Sequence, residues 1–251
     1  MRRITCFVAA SALALMLGTT ASAAPFFFST GDPDFRIATA SRPESHGKIE
    51  IESADDFVLT SPTQLQQATF TGLLFKGGPG EIREVVVEIY RVFPNDSDTT
   101  RMIHVPTRTN SPSDVALDTR SSADGGLHFT VTVLNPHVGA ANSVIDGINP
   151  APEQHTEGEG PVAGQEVRFD VVFDEPFDLP ADHYFFVPQV RLQGKGGNFL
   201  WLSAPHPQFT GDLQMWIRNG NLDPDWLRVG TDIVGGTTFN GSFSLSGETI
   251  P

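Results

Sequence analysis

Ile82-Arg83-Glu84-Val85-Val86-Val87-Glu88-Ile89-Tyr90-Arg91-Val92-Phe93 decides the fold. Val85, Val87, Ile89 and Phe93 share one parity, and Glu84 and Glu88 take the other. Successive side chains of a strand point to opposite faces, so the stretch predicts a long strand with one buried face. Its β-branched and aromatic content agrees. A face of that length needs a second layer of strands to cover it.

Working outward, the chain of 251 residues opens Met1-Arg2-Arg3, runs apolar over residues 4–18 and then reads Ala21-Ser22-Ala23. A basic start, a short apolar run and an A-x-A site predict an export leader cleaved after Ala23. The run falls short of the about 20 residues of a membrane span. The only cysteine, Cys6, would leave with the leader. The mature protein is therefore expected to be secreted, without a membrane span and without disulfides, standing on its core alone. Thirty acidic residues against 16 basic ones give a formal charge of −14, and loss of Arg2 and Arg3 makes the remainder more acidic still. Such a surface repels nucleic acid and anionic lipid.

Residues 24–47 are rich in Pro, Gly, Ser and Thr and read as an extended lead-in, docked through Phe26, Phe27 and Phe28. Short strands are expected at 48–52, 54–59 and 68–75, with Lys76-Gly77-Gly78-Pro79-Gly80 as the turn into the long strand. A weak strand at 113–118 and a clean one at 127–133 follow. Residues 135–164 read as a long connection, with a helical turn at 142–148; loops of that length often carry function. Strands at 165–174 and 183–192 flank a turn at 176–181, and Pro188 argues that the second is an edge or bulged strand. Segments 198–203, 213–218, 226–229 and 239–245 complete the set. No sustained helical period, internal repeat or composition break appears. The expectation is an all-β, two-sheet antiparallel β-sandwich, jelly-roll-like, with one domain over residues 48–251.

Three segments carry a resemblance: Ala54-Asp55-Asp56-Phe57-Val58-Leu59, Pro176-Phe177-Asp178-Leu179-Pro180-Ala181-Asp182-His183-Tyr184 and Phe243-Ser244-Leu245-Ser246-Gly247. Together they resemble uncharacterised exported bacterial β-sandwich proteins of the PEP-CTERM-associated type. The resemblance implies export and a sandwich, and no activity. It also implies a sorting tail with a Pro-Glu-Pro motif, an apolar span and a basic end. This chain stops at Ile250-Pro251, about where that motif would begin, leaving free release or truncation as alternatives.

No G-x-S-x-G, Walker A loop, H-E-x-x-H or mature cysteine is present. A glycosidase acid and base would be a pair of carboxylates at a fixed separation. Glu84 and Glu88 on one strand would be about 13 Å apart, outside the roughly 5–9.5 Å window; Glu50 and Glu52, at about 7 Å, fall inside it. However, Glu50 and Glu52 alternate with Ile49 and Ile51, the pattern of any solvated strand face. Calcium is the cofactor the pattern suggests: Asn95, Asp96 and Asp98 follow a strand, and Asp223 and Asp225 flank a proline, as Asp32 and Asp34 do. Clustered oxygens on turns suit this hard cation, although Asp and Asn favour turns for backbone reasons alone. His155 among Glu153, Glu157 and Glu159 is a weaker metal candidate. Trp216, on the parity of Gln214 and Arg218, together with Trp226 and Tyr90, offers exposed rings for stacking on sugars.

The reading is an exported, non-enzymatic β-sandwich that binds polysaccharide or extracellular matrix. A secreted polysaccharide hydrolase and a structural adhesion protein of the cell surface are the alternatives.

Overall fold

The computed structural model describes residues 23–45, 47–97, 109–148, 155–205 and 214–250. Among them are fifteen strands: β1 (Pro25–Ser29), β2 (Ala38–Ala40), β3 (Ile51–Val58), β4 (Thr63–Phe75), β5 (Ile82–Arg91), β6 (Asp118–Ser121), β7 (Leu127–Ala140), β8 (Ser143–Val144), β9 (Val162–Leu179), β10 (His183–Leu192), β11 (Asn198–Ala204), β12 (Trp216–Asn219), β13 (Leu227–Arg228), β14 (Asn240–Gly241) and β15 (Phe243–Thr249). They form two mostly antiparallel sheets, an all-β sandwich. Among the described residues no helix is long and apolar enough to cross a membrane.

The smaller sheet runs β13-β12-β3-β10-β5-β6. The larger is organised on β4. β9 lies along one edge of β4 with β7 beyond it; the other edge is taken by β15 up to Phe70 and by β11 from Gly72 onward. β1 extends the sheet past β15, and β2 extends it past β11. At the handover a Cβ on Gly72 would collide with the Leu200 carbonyl oxygen and the Phe199 ring, so only glycine fits.

The apolar parity of β5 faces inward: Val85, Val87 and Ile89 are fully buried. Tyr184, Phe186 and Val190 of β10 join them, opposite Val167, Phe169, Val171 and Phe173 of β9. Phe70 stacks on Phe169 at 4.7 Å, and Phe199 meets both edge-on. Phe186 stacks on Phe243 at 5.0 Å, with Trp201 edge-on to the pair. The three resemblance segments converge here, Phe57 lying 5.7 Å from Tyr184 while Phe28 touches both Phe57 and Phe243.

The structure corrects several expectations. The lead-in supplies β1 and β2, which are hydrogen-bonded members of the large sheet. Strands expected at 48–52 and 54–59 are one strand, β3. Only the two ends of the connection at 135–164 are ladder: β7 continues to Ala140 and β9 starts at Val162, pairing Val138 with Gly164 and Ala140 with Val162. Bulges near Asn135 absorb Pro136 and break the sequence alternation. The helical turn at 142–148 is replaced by β8, and the turn at 176–181 by the end of β9. Most of the weak strand at 113–118 is not a strand; β6 begins at Asp118.

Pro188 lies in an interior strand, not at an edge; the irregularity of that strand falls further on, at the register shift between Arg191 and Leu192. The β10–β3 ladder stops at Phe186↔Asp55, and Val190 donates on that side to Ser41. The missing N–H of Pro188 faces the same side and forfeits no ladder bond.

Phe70→Ala should cost about 3–5 kcal/mol in urea unfolding, since it empties the centre of the aromatic core. Gln67→Ala, on the exposed face of the same strand, should change stability by less than about 0.5 kcal/mol.

Candidate functional site

Tyr90, Trp216 and Trp226 do lie on the outward face of the small sheet, and they do come together. They are nevertheless 3 %, 2 % and 3 % exposed. With Ala54, Phe185 and Val187 they form a second apolar cluster. Outward is not solvent here, because two chain segments fold over this face. The Trp226 indole donates to the Ser113 carbonyl at 3.2 Å, and Arg218 Nη1 donates to the Asp114 carbonyl at 3.2 Å. No ring face is left open for a sugar, which corrects the stacking role expected of these three residues.

Arg218 is the centre of the cluster. Its Nε donates to Glu52 Oε2, its Nη2 to the Tyr90 hydroxyl at 2.9 Å, and its Nη1 to Asp223 Oδ1 at 2.9 Å. The guanidinium also lies 4.4 Å from the Trp226 ring. Burial opposes its charge, but Glu52 more than offsets this, and the pKa lies above the ordinary arginine value. Glu52 is 3 % exposed, not part of a solvated strand face as the alternation suggested. It is buried because β12 places Arg218 directly opposite it.

Glu88 completes the set. The Tyr90 hydroxyl lies 2.6 Å from Glu52 Oε1 and 3.1 Å from Glu88 Oε2. One phenolic proton cannot serve two carboxylates at once. Burial, then the charge of Glu52, pushes the Glu88 carboxyl up to about 8, so it carries a proton at neutral pH. Glu50 is raised as well, by burial first and Glu52 second, and accepts from Gln189 Nε2 at 2.9 Å. Glu84 stands apart, bonded to Arg191 and Ser121. The carboxylates that meet are thus Glu52 and Glu88, on strands separated by β10, a pairing that needed the sheet order. A single hydroxyl spans them, leaving no space for a glycosidic oxygen and an attacking water.

The calcium candidates are distributed otherwise. Asp96 pairs with Arg91 at 3.3 Å, and Asp223 is spent on Arg218. Asp225 is buried, and the Asn95 N–H bonds the Val92 carbonyl. Asp98 and Glu153 lie outside the described residues. Asp34 Oδ1 accepts from Ser203 Oγ at 2.5 Å. Among the described residues no three or more His, Cys, Asp or Glu gather where they would surround a metal ion.

The outer face of the large sheet is open. In register across five strands, Ser29, Ser244, Thr69, Asp170 and Thr130 form one row. Thr69 and Ser244 hydroxyls are 2.6 Å apart, and Arg168 pairs with Asp170 at 3.1 Å. A groove of about 300 Å³ runs here, lined by Phe27, Ser29, Thr69, Thr71, Arg168 and Asp170, among others. Phe27 is 71 % exposed at its rim. Sequence reasoning passed over this face; its signal was Ser and Thr on the outward parity of several strands, and only register shows that they adjoin.

The molecule is therefore an all-β sandwich with a sealed ionic cluster on one outer face and a hydroxyl-lined groove on the other. Compared with known proteins, the chain matches no family model, no curated protein and no solved structure.

Between the ordinary carboxyl value of 4.5 and about 8, folded Glu88 holds a proton that the unfolded chain releases. Its contribution to stability is present below pH 4.5, falls as pH rises through about 8, and is flat above that. Melting temperatures from pH 5 to pH 9 should show this decline, and Glu88→Gln should make it shallower, with the raised Glu50 and Asp55 carrying the rest.

Proposed function

We propose that this protein is an exported, non-enzymatic binding component of the cell exterior, and that the outer face of its large sheet lies along a polysaccharide. The observation that carries this reading is the open groove beside Phe27. Hydroxyls of Ser29, Thr69 and Ser244, with the Arg168–Asp170 pair, offer donors and acceptors that match sugar hydroxyls. The exposed Phe27 ring offers an apolar surface to the face of a pyranose. Neighbouring strands lie about 4.8 Å apart, so the five-residue row is roughly 19 Å long, an extent suited to a chain rather than to a single small molecule. The basic, then apolar, start ending in Ala21-Ser22-Ala23 supports export.

Electrophoresis through gels containing neutral and acidic polysaccharides tests the reading. At least one polymer should retard the protein, and Phe27→Ala and Thr69→Val should each weaken that retention about tenfold, or about 1.4 kcal/mol, with unchanged circular dichroism. Absence of retention by every polymer, or equal retention by the variants, rejects it. Release of reducing ends from a retained polymer would replace binding by hydrolysis.

A further inference from the structure

Arg42 follows β2 and exchanges backbone hydrogen bonds with Ile51. Its side chain is only 6 % exposed. A guanidinium has five N–H donors and keeps its charge. Here one nitrogen, Nη2, meets one carboxylate oxygen, Asp146 Oδ1, at a long 3.4 Å. Nε and Nη1 are shut from solvent and have no hydrogen-bond partner among the described residues. A buried cation held by so little is strongly unfavourable, and burial lowers the Arg42 pKa more than Asp146 restores it.

A second cation stands beside it. The Lys48 ammonium donates to the Gly197 carbonyl and to Asn198 Oδ1, both neutral acceptors. Its pKa is lowered by burial and then by the Arg42 charge. The two cations stand close enough to oppose each other, and Asp146 is the carboxylate that acts on both. The one carboxylate on Arg42 among the described residues is easily moved. Asp146 is 79 % exposed, and its loop is fixed through the backbone instead: the N–H groups of Asp146 and Gly147 both donate to Glu159 Oε1. The carboxylate of Asp146 can swing into water without disturbing that anchor.

We propose that Arg42 and Lys48 form a binding site for a small oxyanion or carboxylate, which takes the place of the Asp146 side chain. The anion accepts from Nη2 in place of Asp146 and balances both cations. The site shares no residue with the groove around Phe27, so the two proposals stand or fall separately. Free phosphate or sulfate and the carboxylate of a uronic acid present the same chemistry, and the experiment separates them.

Isothermal titration and thermal melting of the full protein, with sodium phosphate, sulfate and glucuronate against chloride at equal ionic strength, provide the test. At least one anion should bind saturably at one site and raise the melting temperature by several degrees. Arg42→Met and Lys48→Met should each weaken binding at least tenfold, while Asp146→Asn, which removes the competing carboxylate, should tighten it several-fold; Phe27→Ala should leave it unchanged. Preference for phosphate or sulfate identifies a free inorganic anion, and preference for glucuronate identifies an acidic sugar. If Arg42→Met does not fold, the opposite effects of Lys48→Met and Asp146→Asn decide. Absence of saturable binding by all three anions, or equal binding by wild type, Lys48→Met and Asp146→Asn, overturns the proposal.

Discussion

Contact between aromatic rings inside the sandwich, within the large sheet and from it to Phe186 of the small one, is the constraint on which the rest of the structure depends. Phe70, Phe169 and Phe199 make one tight group, and Phe186, Phe243 and Trp201 make the next. Each large ring buried away from water contributes on the order of 2–3 kcal/mol, which is how a sandwich without a cross-link holds together. Close approach of backbone to ring makes this possible. Gly241 lies against the Trp201 indole where a Cβ would collide, and the indole N–H in turn bonds the Ser242 carbonyl at 2.9 Å. The core also explains why distant segments meet: β3, β10 and β15 each deliver one aromatic to the same place.

The two outer faces solve opposite problems. On the small sheet, charges are taken out of water, and a buried charge is tolerable only when it is paired and hydrogen-bonded. Arg218 meets that condition through Glu52, Tyr90, Asp223 and two backbone carbonyls. The excess of carboxylates around it is handled by protonation, with Glu88 held neutral beside Glu52. This cluster ties the covering segments to β12, β3 and β5, and gives the outward tryptophans a second core. The large sheet leaves its outer hydroxyls in solvent, so the groove there is open to a partner while the Arg218 cluster is occupied by itself. Arg42 is a third situation, a buried cation whose pairing is incomplete.

Much of the architecture was legible in the residues. The alternation in β5, β9 and β10 named the right faces, and Val85, Phe169 and Phe186 are core as their parity required. Legibility failed where pairing, not pattern, makes a strand. β1, β2 and the far half of β7 lack clean alternation and are held by the ladders of β15, β11 and β9. Pro188 reads as an edge or bulge signal, and the sequence does not say which neighbour its nitrogen faces.

For the sites the division is sharper. Composition and periodicity determined an acidic, cysteine-poor, two-layered β protein, because side-chain parity and net charge are properties of the chain itself. They also selected Tyr90, Trp216, Trp226 and Asp223, which do share one locality. Only the tertiary structure decided that this locality is sealed, that Glu52 joins Glu88 across β10, and that Ser29, Thr69 and Ser244 line one groove. Which strands become neighbours, and which outer face another segment covers, follows from contacts between residues far apart in sequence, and local pattern carries no record of them.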